Sequence, residues 1–142
     1  MERDDTRQLL IGWAHRGGAW VHADGAFGIW AALKSLGRQG LAGMVERNCR
    51  QARTLADRLR AAGIEVLNDV VLNQVVAAFG DEARTKEVVA KIQTDGTCWC
   101  GGTVWQGRPA MRISVSSWAT TDADIEKSLA AIVAADRDVS AR

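Results

Sequence analysis

The stretch Gly37–Gly63, GRQGLAGMVERNCRQARTLADRLRAAG, decides how the rest of the chain can be arranged. Its apolar residues Leu41, Met44, Val45, Cys49, Ala52, Leu55, Ala56 and Leu59 recur at intervals of three and four, and arginines and acids take the remaining positions. That is the period of a helix with one face on a core. Gly63 ends it. A helix with a single apolar stripe needs a sheet or further helices to bury that stripe. The sequence after Gly63 offers both. IEVLND and VLNQVVAAFG are two short apolar runs separated by the turn residues Asn68 and Asp69. A second helix is expected from about Asp81 to Gln93 with Val88, Val89 and Ile92 inward, followed by two strands in DGTCWCGGTVWQG and PAMRISVSS. Thr121 or Asp122 then starts a last helix carrying Ile125, Leu129, Ile132 and Val133. Helix, strand, strand, helix, strand, strand, helix describes an α+β layer in which helices cover one face of a mostly antiparallel sheet.

Upstream of Gly37 the pattern differs. Asp5 or Thr6 can cap a helix with Leu9, Leu10, Trp13 and Ala14 on one face, and Gly17-Gly18 stops it. AWVHADGAF, residues 19–27, then reads as a buried strand entering a turn of small residues. Helix followed by strand is half of an α/β unit, which normally has parallel neighbours on both sides. Two segments are therefore expected, 1–36 and 37–142, divided where the pattern changes.

Composition narrows the classes. The chain has 142 residues, 47% hydrophobic and 25% charged, with a net charge of +1, which suits one soluble globular domain. Lysines and arginines are spread along it, so neither nucleic acid nor a membrane surface is an expected partner. No apolar run reaches the length of a membrane span, and the start MERDD lacks the features of a secretion signal. Three cysteines, Cys49, Cys98 and Cys100, without an export signal favour reduced thiols in a cytoplasm.

Asp24 is the sharpest chemical candidate. It stands at the end of the expected strand, where ligands of α/β sheets bind. It is either the first residue of an Asp-Gly turn or a carboxylate that holds a cationic group. His22, two residues earlier, can share its strand face; it is a site residue or a hydrogen-bonded structural histidine. Arg112 lies on an apolar strand, where an arginine by itself implies an acidic partner. Cys98 and Cys100 are spaced more closely than a zinc hairpin and have no histidine pair, so no metal is expected. The six tryptophans are expected mostly in the core or in buried interfaces. Ser114, Ser116 and Ser117 have no histidine in a nucleophile arrangement.

WAHRGGAWVHADGAFGIW resembles the helix-strand unit of the group II pyridoxal-phosphate-dependent amino-acid decarboxylases, the glutamate and aromatic-amino-acid decarboxylase family, where H-x-D-x-A follows a W-x-H strand. SLGRQGLAGMVERNCRQARTLADRLRAAG resembles the helix linking the large and small domains of that family, and GRPAMRISVSSWATTDADIEKSLAAI resembles its closing strand and helix. The resemblance implies the fold type I transferase architecture of pyridoxal-phosphate enzymes, mainly its C-terminal small domain. Residues 1–36 would be a helix-strand remnant of the large domain. It implies pyridoxal phosphate as cofactor, with Asp24 on the pyridine nitrogen, Ala26 packed on the ring and His22 as the motif histidine. Arg112 would bind the substrate carboxylate. The family reaction is removal of the α-carboxyl group of an amino acid as carbon dioxide, in a cytoplasmic homo-oligomer.

One departure bears on activity. The family carries its Schiff-base lysine, usually in H-K-W, on a stretch between the aspartate strand and the linking helix. Here the lysines are Lys34, Lys86, Lys91 and Lys127, none in that motif, and the family's phosphate-binding loop is absent too. No catalytic residue is therefore assigned. The chain resembles a truncated or internally deleted decarboxylase, inactive alone. The alternative is a non-catalytic small α+β domain acting as a subunit or a small-ligand binder.

Overall fold

The computed structural model describes residues 26–141, with side chains from Gly28 onward. The chain divides into two compact units, Met1–Arg38 and Gln39–Arg142. The described part of the first is helical. Helix α1 (Ala26–Ala61) is interrupted at Gly37, whose φ of 61° and ψ of −174° fall in a region open to glycine alone. The expected strand through Phe27 is thus corrected at its end, because Ala26 and Phe27 are helical. From Ala26 onward Ala, Phe, Ile, Trp, Leu and Lys run without a proline, and they sustain helix up to the glycine that breaks it.

Beyond Gly37, α1 buries Cys49, Ala52, Leu55, Ala56 and Leu59. The expected stripe is longer than the buried one: Leu41 and Met44 are half-buried and Val45 is exposed. The helix closes in a Schellman arrangement. Gly63 takes a φ of 85°, its N–H donates to the Arg60 carbonyl, and the Ile64 N–H donates to Leu59, both at 3.0 Å. Ile64 and Leu59 are both buried in the core, the apolar contact that accompanies this motif.

Strands β1 (Glu65–Val66) and β2 (Gln74–Ala78) pair antiparallel. Asn68 fixes the turn between them: its Oδ1 accepts from the Val76 N–H at 2.8 Å and its Nδ2 donates to the Gln74 carbonyl at 3.0 Å. Helix α2 (Glu82–Asp95) is capped by Asp81, which accepts from the Arg84 N–H, and ends at left-handed Gly96. Strands β3 (Gly101–Trp105) and β4 (Arg108–Ser114) form a hairpin. Its two turn residues, Gln106 (φ 47°) and Gly107 (φ 80°), both have positive φ, the type I′ geometry that matches strand twist. Helix α3 (Asp122–Ser140) opens on a capping box in which Thr121 and Asp124 each satisfy the other's backbone N–H.

The sheet is antiparallel throughout, in the order β1-β2-β4-β3. Leu55, Leu59, Val75, Val88, Ile92, Met111 and Ile132 form the centre of the core between sheet and helices. This is the expected α+β layer. Ion pairs at the surface join the helices to one another, Arg58 with Glu126 at 2.9 Å and Arg84 with Asp136 at 2.6 Å. No helix of the described residues is long and apolar enough to cross a membrane.

Candidate functional site

Strand β4 separates two faces by alternation. Met111 and Ile113 point into the core with the helices, so Ala110, Arg112 and Ser114 belong to the other face. Register completes that face. Arg112 lies between Val76 on β2 and Gly101 on β3, and Ser114 lies opposite Gln74. Arg112 and Ser114 are exposed, whereas Val76 and Ala110, on the same face, are buried at 4% and 1% exposure. A guanidinium thus stands over small neighbours, one of which has no side chain.

The acidic partner that an arginine on an apolar strand implies is not found. No hydrogen bond or ion pair holds the Arg112 side chain among the described residues. Arg108, four residues earlier on the same face, has one: it makes a two-pronged pair with Glu65, Nη1 to Oε1 at 2.9 Å and Nη2 to Oε2 at 2.6 Å. The Arg108 hydrogen bond holds the Glu65 carboxyl below its ordinary range. This pair joins β1 to β4 across β2, and it occupies the acid that could otherwise compete for a guanidinium on this face. Arg112 is left able to take a carboxylate from outside. Nothing in the sequence pattern singled out Glu65 or Arg108, because their spacing on separate strands becomes meaningful only through the register.

The other candidates fall differently. Asp24 and His22 lie outside the described residues. Ala26 is the first residue of α1. Lys86 and Lys91 are on α2 and Lys127 is on α3, in the helical layer on the side of the sheet opposite Arg112. All three are ion-paired there, to Glu82 and Asp138 at 2.6 Å and to Asp124 at 4.0 Å. Lys34 lies on α1, before Gly37. Cys49, Cys98 and Cys100 are free thiols. Burial raises the Cys98 thiol and pushes Cys100 up to about 12, which removes thiolate character at neutral pH. Among the described residues no group of His, Cys, Asp and Glu could hold a metal ion. Trp30, Trp99, Trp105 and Trp118 are exposed in this chain, on a helix surface, in the loop before β3, on the hairpin edge and in the loop before α3, so the core does not hold these four; Trp13 and Trp20 lie outside the described residues.

A polar cluster on α1 was not anticipated. Gln51 is buried at 2% exposure, and its Nε2 donates to the Thr120 carbonyl at 3.1 Å and to Asp122 Oδ1 at 2.9 Å. Arg47 donates to the Trp118 carbonyl at 2.9 Å. Together they seat the loop that leads from β4 into α3. Gln51 stands one position before Ala52 and three after Asn48, at the border of the apolar stripe, and that placement is the signal in the sequence.

No protein-family model and no curated protein matches the sequence. Solved structures do match. Oryza sativa TDC with PLP and tryptamine superposes with a TM-score of 0.70 at 16% identity, covering 77% of this chain and 26% of its own. Catharanthus roseus tryptophan decarboxylase in complex with L-tryptophan gives 0.70 at 17%, covering 78% and 25%. The glutamate decarboxylase domain of a diaminobutyrate-pyruvate transaminase and L-2,4-diaminobutyrate decarboxylase from Vibrio parahaemolyticus gives 0.65 at 21%, covering 78% and 25%. This chain spans about a quarter of the length of these structures. At such identities the likeness is one of fold, and over some three quarters of its length the chain has the fold of a segment of the pyridoxal-phosphate-dependent amino-acid decarboxylases that its sequence resembles.

Proposed function

We propose that the chain is the small-domain part of a pyridoxal-phosphate-dependent amino-acid decarboxylase, a carboxy-lyase, and that Arg112 receives the α-carboxylate of the amino acid. The observation that carries this reading is the exposed guanidinium of Arg112, without an acid among the described residues, between Gly101 and Val76. A carboxylate is the planar two-oxygen group such a fork accepts. The fold shared with the decarboxylases supports it. On the resemblance, Asp24, Ala26 and His22 are the residues of this chain that contact the cofactor, and the whole enzyme is a cytoplasmic homo-oligomer.

On this reading the chain does not hold pyridoxal phosphate by itself, since its lysines stand outside the family motif. Lys86, Lys91 and Lys127 are ion-paired on the helical layer, on the side of the sheet opposite Arg112, and Lys34 lies on α1 before Gly37. Covalent catalysis with this cofactor begins from a lysine, so we assign no reaction to the chain alone. A second reading, a non-catalytic domain that serves as a subunit or binds a small ligand, is favoured by the same observation.

The test is to join the chain to the missing lysine-bearing segment of a decarboxylase and compare Arg112→Met with the unsubstituted enzyme. A charge-assisted two-pronged contact is worth about 3 kcal/mol, so kcat/KM should fall by about two orders of magnitude with a raised KM. Full activity in the variant would exclude Arg112 from carboxylate binding.

A further inference from the structure

Strand β3 ends the sheet, and its outer side is unpaired among the described residues. The two-residue turn makes Trp105 and Arg108 the closing hydrogen-bonded pair of the hairpin. By alternation the backbone groups of Gly101, Thr103 and Trp105 face β4, and those of Gly102 and Val104 face outward. The edge has none of the usual protections, since Gly101–Trp105 contains no charge and no proline. Val104 is 70% exposed. Beside it a hollow of about 520 Å³ lies between β3 and α2, lined by Lys86, Val89, Ala90, Gln93, Gly102 and Val104. A Cβ placed on Gly102 would meet nothing within 4 Å.

We propose that β3 pairs antiparallel with β3 of a second copy of this chain, about a two-fold axis through Thr103, so that the two sheets become one. The outward groups of Gly102 and Val104 leave three registers. A register centred on Gly102 sets glycine against glycine and leaves the hollow empty. One centred on Val104 places the outward groups of Gly102 against the turn residue Gln106. The register centred on Thr103 sets each Gly102 opposite Val104 of the other copy, and both pairs exchange backbone hydrogen bonds. Size complementarity follows on both faces. Val104 of the second copy covers Gly102 and enters the hollow over Val89 and Ala90, while Trp105 of the second copy covers Gly101, the arrangement by which an aromatic side chain shields an edge glycine. No charges meet along the strand, and a net charge of +1 per copy opposes association little. One short strand pair buries less than the roughly 1,200–2,000 Å² of a stable interface, so the dimer is weak and forms with rising concentration.

Sedimentation equilibrium of the full chain over a concentration series tests this. Val104→Lys, which removes the apolar side chain that fills the hollow and puts a solvated cation on an uncharged edge strand, should weaken association at least about tenfold. Val71→Lys, exposed in the segment between β1 and β2 at the other edge of the sheet, should leave it unchanged. Thr103→Cys should form a disulfide between the two substituted positions under mild oxidation, because residues facing each other in a non-hydrogen-bonded pair are close enough for one. A chain that stays monomeric, or association that survives Val104→Lys with no such disulfide in Thr103→Cys, overturns the proposal. An extended peptide of another protein that binds β3 while the chain itself stays monomeric overturns it equally.

Discussion

Met111 and Arg112 are neighbours on β4 that face opposite sides of the sheet, and substituting each in turn separates core from site. Met111 is fully buried in contact with the helical side of the core. Met111→Ala removes its side chain from a packed cavity and should cost about 3 kcal/mol, within the usual 2–5 for such changes. For a domain of about 100 residues that lowers Tm by roughly 12–24 °C. The Arg112 side chain is exposed and makes no hydrogen bond or ion pair among the described residues. Arg112→Met should change stability by no more than about 0.5 kcal/mol, the usual range for such surface positions. Urea unfolding followed by circular dichroism reads both, with the midpoint moving and the slope m constant if only stability has changed. If Arg112→Met destabilised by more than about 1 kcal/mol while Met111→Ala was tolerated, β4 would be one residue out of register and its faces exchanged. The carboxylate reading would then be lost as well.

Thr121→Ala should cost about 1 kcal/mol through loss of the cap of α3. The backbone and side chain of Thr121 hold the Asp124 carboxyl below its ordinary 3.8, so the stability this carboxyl lends is present above that value and lost as pH falls through the depressed one. Part of the acid sensitivity of unfolding should therefore vanish in the variant. Mixed with pyridoxal phosphate, the full chain should give no borohydride-reducible adduct at any single lysine and release no carbon dioxide from amino acids; mass spectrometry that mapped one such adduct, at Lys34 for instance, would count against the missing-lysine reading. Ile29, Trp30 and Leu33 are exposed at 66%, 60% and 49%. A chain beginning at Lys34 should consequently be more soluble than the full one in sedimentation and show a sharper unfolding transition, whereas equal behaviour of the two would exclude residues 19–33 as an association surface.

The sequence carried the element order because each element announces itself locally. Asp81 and Thr121 are side chains that cap, Gly63 and Gly96 are glycines that stop, and Val88, Val89 and Ile92 keep the helical period. The strand order was not legible: pairing of β2 with β4 joins segments that no local pattern relates, and so the face shared by Val76, Ala110 and Arg112 emerges only from the register. Arg112 was singled out through a resemblance, and the absence of an acid beside it depends on Glu65 being engaged by Arg108, a contact between residues 43 positions apart. Val45, Trp30, Trp99, Trp105 and Trp118 stay out of the core for one reason. Apolar character says that burial is favourable, but it does not say that a partner surface is present in the same chain.

The strand order also sets how the domain can assemble in time. The β3–β4 hairpin closes through a two-residue turn and can form on its own within microseconds. The β2–β4 seam must instead bring Val75 to Ile113 across a stretch that contains all of α2 and β3. The bond from Gln51 to Asp122 spans 71 positions. Closing loops of that size costs entropy before any contact repays it. The rate-limiting event in folding is therefore expected to be the docking of a preformed hairpin onto β2, with α1 and α3 locking over it last, and substitutions at Val75 or Ile113 should slow folding more than those at Gln51.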